Sequence, residues 1–139
     1  MNDHIYIVLD TNVLVSGMFI REDRIDTPPR KIVKMFLAGE LTIFYSDAIL
    51  AEYKEVLTRK KFNFSKHRIK KMLELAELLG VKIDPRGPKL KLQDTKDEPF
   101  LELANATNTL PAFLVTGNKK HFPNKKHILT PAELCKELC

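Results

Sequence analysis

Cysteine is scarce in this chain, with only Cys135 and Cys139, four residues apart at the C-terminal end of 139 residues. A pair so placed does not build a disulfide framework for a domain of this size. With no further Cys and no metal-spaced His nearby, both read as reduced thiols of a cytoplasmic protein. Long apolar runs are missing as well. No segment approaches the ~18 consecutive apolar residues of a membrane helix, and Met1-Asn2-Asp3-His4 carries neither the basic region nor the apolar run of a signal peptide. No P-loop and no Gly-x-Gly-x-x-Gly occurs, so nucleotide cradling has no support. The four histidines, His4, His67, His121 and His127, show no metal spacing and read as surface or packing residues. Internal repeats, low-complexity tracts and clear domain boundaries are absent too.

What is present is an ordinary globular balance, 44% hydrophobic and 29% charged, which predicts one domain over residues 1–139 with a core of its own. The 23 Lys and Arg outnumber the 18 Asp and Glu for a formal charge of +5. A polyanionic partner fits that excess, although a modest surplus of Lys also serves solubility.

Strands and helices alternate along the chain. Ile5 to Leu9 is continuously apolar, as expected for a strand buried on both faces, and it stops at Asp10. Thr11 and Asn12 are good N-cap residues for a short helix reaching Met18. Phe19 to Pro29 reads as a loop, followed by a helix from about Arg30 to Ala38 closed by Gly39. Leu41 to Tyr45 is a second strand and Ser46 caps the next helix, whose stripe is Ile49, Tyr53, Val56 and Leu57. Glu52 borders that stripe, whereas Glu55 points further out. A helix from Ser65 to Leu79, a short strand at Val81 to Ile83 and a connector from Pro85 to Lys91 come next. Pro99 opens a further helix, Ala112 to Thr116 is a strand broken by Gly117-Asn118, and His127 to Leu129 is the last strand. Thr130-Pro131-Ala132-Glu133 is a capping box for the terminal helix. This alternation predicts an α/β fold, a mostly parallel sheet covered by helices on both faces.

Four acids stand where such a fold gathers ligands, at the carboxyl ends of its strands: Asp10 after the first strand, Glu52 on an inward helix edge, and Asp94 and Asp97 ahead of another helix. Convergence of these like charges costs on the order of several kcal/mol at low dielectric without a cation. An oxygen-only set of this kind suits Mg²⁺, which keeps room for waters and phosphates. Each acid also has a plainer use. Asp10 and Asp97 can cap helices, Asp94 can be an exposed loop acid, and Glu52 can be a solvated helix rim. Asp10-Thr11-Asn12 lacks the second acid that an aspartyl phosphatase needs two residues on, and the paired acids of a receiver domain are absent.

The chain resembles the PIN-domain (PilT N-terminus) nucleases, of the branch that supplies toxins of toxin–antitoxin pairs. The resemblance rests on Val8-Leu9-Asp10-Thr11-Asn12-Val13-Leu14, on Ser46 followed by Glu52, on Asp94-x-x-Asp97 with Phe100-Leu101-x-Leu103-Ala104, and on Leu114-Val115-Thr116-Gly117-Asn118. It implies a three-layer sandwich around a mostly parallel sheet and a metal-dependent endoribonuclease acting on single-stranded RNA. Asp10, Glu52 and Asp97 would be catalytic and hold Mg²⁺ or Mn²⁺, with Asp94 an auxiliary metal acid. Thr11, Asn12, Ser46, Thr116 and Asn118 would brace the carboxylates or touch phosphate. Many PIN domains carry Asp where this chain has Asn118, which brings a carbonyl oxygen but no charge. Lys119 and Lys120 follow directly and are candidates for RNA phosphate contact. The resemblance also implies a small antitoxin partner, leaves a homodimer open, and involves no membrane. A housekeeping RNA-processing nuclease and a catalytically weakened RNA-binding module are the alternatives. The aromatics Phe62, Phe64 and Phe122 can stack on bases, with core packing the plainer use.

Overall fold

The computed structural model describes residues 4–19, 27–84, 98–106 and 112–138. Its strands form one five-stranded sheet: β1 (Ile5–Leu9), β2 (Leu41–Tyr45), β3 (Val81–Lys82), β4 (Ala112–Val115) and β5 (Ile128–Leu129), in the order β3-β2-β1-β4-β5. All four strand pairings are parallel. Among the described residues six α-helices flank the sheet: α1 (Thr11–Met18), α2 (Pro28–Leu37), α3 (Asp47–Leu57), α4 (Lys66–Leu79), α5 (Glu98–Ala106) and α6 (Pro131–Leu138). The α/β architecture expected from the alternating pattern is therefore present, with a sheet that is wholly parallel among the described strands.

The apolar run of β1 explains its place at the centre. Successive strand residues point to opposite faces, so Ile7, Val8 and Leu9, all fully buried, require cover on both. β2 pairs along one edge of β1, from Ile5 opposite Leu41 to Val8 opposite Phe44. β4 pairs along the other, from Tyr6 opposite Ala112 to Leu9 opposite Val115. The strand order thus reverses at β1, and the crevice beyond the carboxyl ends of β1 and β4 is the switch point where open α/β sheets take ligands. Ile32 and Phe36 of α2, Ile49 and Tyr53 of α3, and Phe100 and Leu103 of α5 are among the residues that complete the core.

Several boundaries differ from the expectations. α2 begins at Pro28, not at Arg30, because Pro28 and Pro29 occupy its first turn, where the missing N–H groups have no intrahelical partner to lose. Asp10, not Thr11 or Asn12, holds the N-cap position of α1. Short 3₁₀ turns at Lys60–Phe62 and Lys119–His121 had no sequence signal. The loop expected from Phe19 to Pro29 lies mostly outside the described residues, as does the connector from Pro85 to Lys91. Gly39 closes α2 as expected. Its φ of 78° is left-handed, and the bonds Gly39 N–H to Phe36 O and Glu40 N–H to Met35 O complete a Schellman end.

Gly17 of α1 packs against α2 with no room for a side chain. A Cβ there would lie 2.4 Å from Val33 Cγ2 and 2.8 Å from the Pro29 carbonyl oxygen. Because α1 follows Asp10 directly, this contact sets how the end of β1 is covered. Gly17→Ala should destabilise the protein by about 1–3 kcal/mol through overpacking, read as a lower midpoint in denaturant unfolding; an unchanged midpoint would show that the two helices separate freely.

Candidate active site

Asp10 is placed by its backbone before its side chain does anything. Its N–H donates to Val115 O at 2.9 Å, which extends the β1–β4 ladder by one residue, and its carbonyl accepts from Val13 N–H at 3.0 Å to begin α1. Although it occupies the N-cap position, its carboxylate makes no capping hydrogen bond. That carboxylate is buried, at 6% exposure, and its Oδ2 accepts from the Thr116 hydroxyl at 2.6 Å. Thr116, fully buried at the end of β4, has its Oγ1 fixed in turn by Asn118 N–H at 3.0 Å. Gly117 N–H donates to Asn12 Oδ1 at 3.2 Å. The segments Asp10-Thr11-Asn12 and Thr116-Gly117-Asn118 are thus hydrogen-bonded across the switch point, with Thr116 on the Asp10 carboxylate and Asn12 on the Gly117 backbone.

Glu52 arrives on α3. Ser46 caps that helix, its Oγ accepting from Ile49 N–H at 3.3 Å, and Ile49, Tyr53, Val56 and Leu57 are buried as the periodicity predicts. Ser46 therefore fixes the start of the helix that carries Glu52. Tyr53, next to Glu52, donates its hydroxyl to Leu9 O at 2.5 Å. Burial first, and then the charge of Asp10, push the Tyr53 phenol far above its ordinary range, so it remains a donor. One hydrogen bond therefore ties the residue after Glu52 to the residue before Asp10. Glu55 points elsewhere, holding Arg59 through contacts of 3.3 and 2.8 Å.

Asp10 and Glu52 line one cleft of about 380 Å³, together with Thr11, Asn12, Arg59 and Phe62. The Thr11 hydroxyl oxygen is buried without a hydrogen-bond partner. Asp94 and Asp97 lie outside the described residues, and among the described residues no group of three or more His, Cys, Asp or Glu is placed to hold a metal ion. The donors that are described fit a hard cation: two carboxylates at a cleft wall, one of them buried, beside an orphaned hydroxyl, and no sulfur or imidazole. Sequence reasoning missed Arg59 and Phe62 as cleft residues. Both lie past the end of α3 at Leu57, Arg59 with extended backbone, so helical periodicity from Glu52 reaches neither of them.

The lysines divide. Lys119 pairs with Glu133 at 3.1 Å, whereas Lys120 is exposed. Glu133 also accepts from Thr130 N–H at 2.9 Å and its own N–H donates to Thr130 Oγ1 at 3.2 Å, the reciprocal capping box.

A family model described as the PIN domain matches residues 6–120, from β1 to the turn after β4. The chain belongs to the PIN-domain family. No curated protein and no solved structure matches it. PIN domains are nucleases, and the matched span takes in Asp10, Glu52, Asp94, Asp97, Thr116 and Asn118. Among the described residues no helix is long and apolar enough to cross a membrane.

Two expected outcomes follow from this PIN-domain site. Thr116→Val keeps the shape but removes the donor to a buried carboxylate, so it should cost about 1.5–3 kcal/mol of unfolding free energy; a variant as stable as the parent in a urea titration would mean that Asp10 has other sufficient support. The Glu133 carboxyl is held below its ordinary range, first by Thr130 N–H and then by Lys119. Its stabilisation is therefore complete above the ordinary glutamate value and disappears as acidification carries the pH through the lowered one. The gap in melting temperature between the parent and Glu133→Gln should narrow on that descent; a gap that stays constant with pH would contradict it.

Proposed function

We propose that this PIN domain is a metal-dependent endoribonuclease that hydrolyses phosphodiester bonds of single-stranded RNA, as the toxin of a toxin–antitoxin pair. The observation that carries the reading is the state of Asp10: a buried carboxylate that makes no helix-capping bond, is oriented by Thr116, and shares a cleft with Glu52. Asp10, Glu52 and Asp97 would hold Mg²⁺ or Mn²⁺, with Asp94 as an auxiliary acid that makes up for the missing charge at Asn118. When bound, such an ion supplies Lewis acidity for activating a water and stabilising the leaving oxygen.

The protein's own contributions are positional. Thr116 fixes the Asp10 rotamer, and Tyr53 keeps Glu52 in register with it. Arg59 brings positive charge to the cleft wall, and the exposed Lys120, five residues after the end of β4, would add a further charge for phosphate neutralisation. Lys119 is paired with Glu133 of α6, so RNA would have to compete for it. The overall excess of +5 supports a polyanionic substrate. The toxin role rests on the resemblance to the toxin branch, and a small antitoxin would be its partner.

Single-stranded RNA should be cut by the parent protein with Mg²⁺ or Mn²⁺ and not with EDTA. Asp10→Asn, Glu52→Gln and Asp97→Asn should each lower the rate by at least about a hundredfold while circular dichroism stays unchanged. Expression should arrest growth, and Asp10→Asn should relieve the arrest. Metal-independent cleavage, or full activity in Asp10→Asn, would refute the hydrolytic reading; cleavage without growth arrest would remove the toxin role alone.

A further inference from the structure

α3 and α4 carry apolar side chains that their buried stripes do not use. The buried stripes are Ile49, Tyr53, Val56 and Leu57 on α3 and Ile69, Met72 and Ala76 on α4. Leu50, Ala51 and Leu73 lie beside those stripes, and with Ile69 they floor an outward groove of about 700 Å³ between the two helices. Leu50 and Leu73 are half-buried and Ala51 is exposed. The groove and the carboxylate cleft share no lining residue: α3 turns Glu52 and Val56 to the cleft and Leu50, Ala51 and Lys54 to the groove.

The rim of the groove is sorted by charge. Its two helices run antiparallel, since Lys82, three residues past the end of α4, bonds Asp47 at the start of α3 at 2.9 Å. Lys54 near the end of α3 and Lys66 and Lys70 near the start of α4 therefore share one end of the groove, and Asp47, Glu74 and Glu77 share the other. Asp47 is engaged by Lys82, and Lys70 lies 4.0 Å from Glu74 of its own helix. Both are exposed pairs, which hold their side chains weakly.

This sorting selects among occupants. RNA gains at the lysine end and is repelled at the acidic end, and a peptide of one charge is likewise matched along half of the groove. The occupant that fits throughout has an apolar stripe flanked by the same charges in reverse order. A second copy of the groove, turned about a two-fold axis, has that form, because an isologous contact sets residue i on j and j on i.

We infer that the α3–α4 groove is the interface of a homodimer. With the two-fold axis near Leu73, Lys66 and Lys70 of each copy face Glu77 and Glu74 of the other, and two helices of each copy pack over Leu50, Ala51, Ile69 and Leu73. Contiguous exposed apolar surface with a polar rim is the usual mark of such a contact. The interface uses none of the cleft residues and is independent of the nuclease reading.

The test is the mass of the full chain in solution, by sedimentation velocity over a concentration series. The parent should approach twice its 16.0 kDa chain mass. Lys66→Glu/Lys70→Glu and Glu74→Lys/Glu77→Lys should each dissociate at least about tenfold more readily, since like charges then meet across the axis. Mixed in equal amounts, the two variants should recover the dimer, because every facing pair is again opposite in sign. The four substituted side chains are exposed, so the variants keep the fold, which circular dichroism verifies. A parent that stays monomeric throughout the series, variants that dimerise as well as the parent, or folded variants whose mixture remains monomeric would overturn the interface.

Discussion

A carboxylate buried at the end of an apolar strand needs partners, and Asp10 finds its donor 106 residues away in Thr116. That single requirement explains much of the local architecture. β1 and β4 must be neighbours for the bond to form, both must run in the same direction for their carboxyl ends to coincide, and the turn at Gly117 must bring Asn118 N–H back onto the Thr116 oxygen. A parallel pair whose strands lie on either side of a reversal in strand order satisfies all three.

The second acid is held by a different device. Glu52 belongs to a helix whose apolar stripe is committed to the core, so its side chain has little freedom except at the stripe's edge. The Tyr53 hydroxyl then fixes that helix to the Leu9 carbonyl, and burial guarantees the proton that the bond uses. Two hydrogen bonds, one through each neighbour strand or helix, thus define the hollow from opposite sides. Around it the charge changes sign, from the carboxylate floor to Arg59, Lys61 and Arg68 near the aromatic wall and Lys120 beyond β4. A negatively charged hollow with a positive margin is consistent with a cation inside and a polyanion across it.

Much of this was legible in the residues. The unbroken Ile5–Leu9 run marked the central strand, the Ile49, Tyr53, Val56 and Leu57 stripe marked Glu52 as the inward acid, and Thr130 with Glu133 marked a capping box that the structure contains. These succeeded because each is a local pattern with one steric solution. Asp10 was ambiguous, since the same residue type serves helix caps and metal sites; that its carboxylate makes no capping bond and accepts from Thr116 was visible only in the fold. The start of α2 was misplaced because Pro28-Pro29 reads as a breaker when taken alone, yet proline is favoured in a first turn. Lys119 looked like a free rim cation in sequence, where Glu133 is fourteen residues distant, and the fold brings them into contact.

By itself, then, the order of apolar runs and polar stops determined an alternating α/β chain, and the motifs around Asp10, Glu52 and Thr116 determined its family resemblance. Periodicity and capping act over a few residues, so they are written in adjacent positions. Which acids share a cleft, which lysine is engaged, and that Arg59 and three phenylalanines stand beside the carboxylates were decided only by tertiary structure. Those facts depend on strand order and helix docking, which bring together groups whose separation along the chain carries no trace of their distance in space.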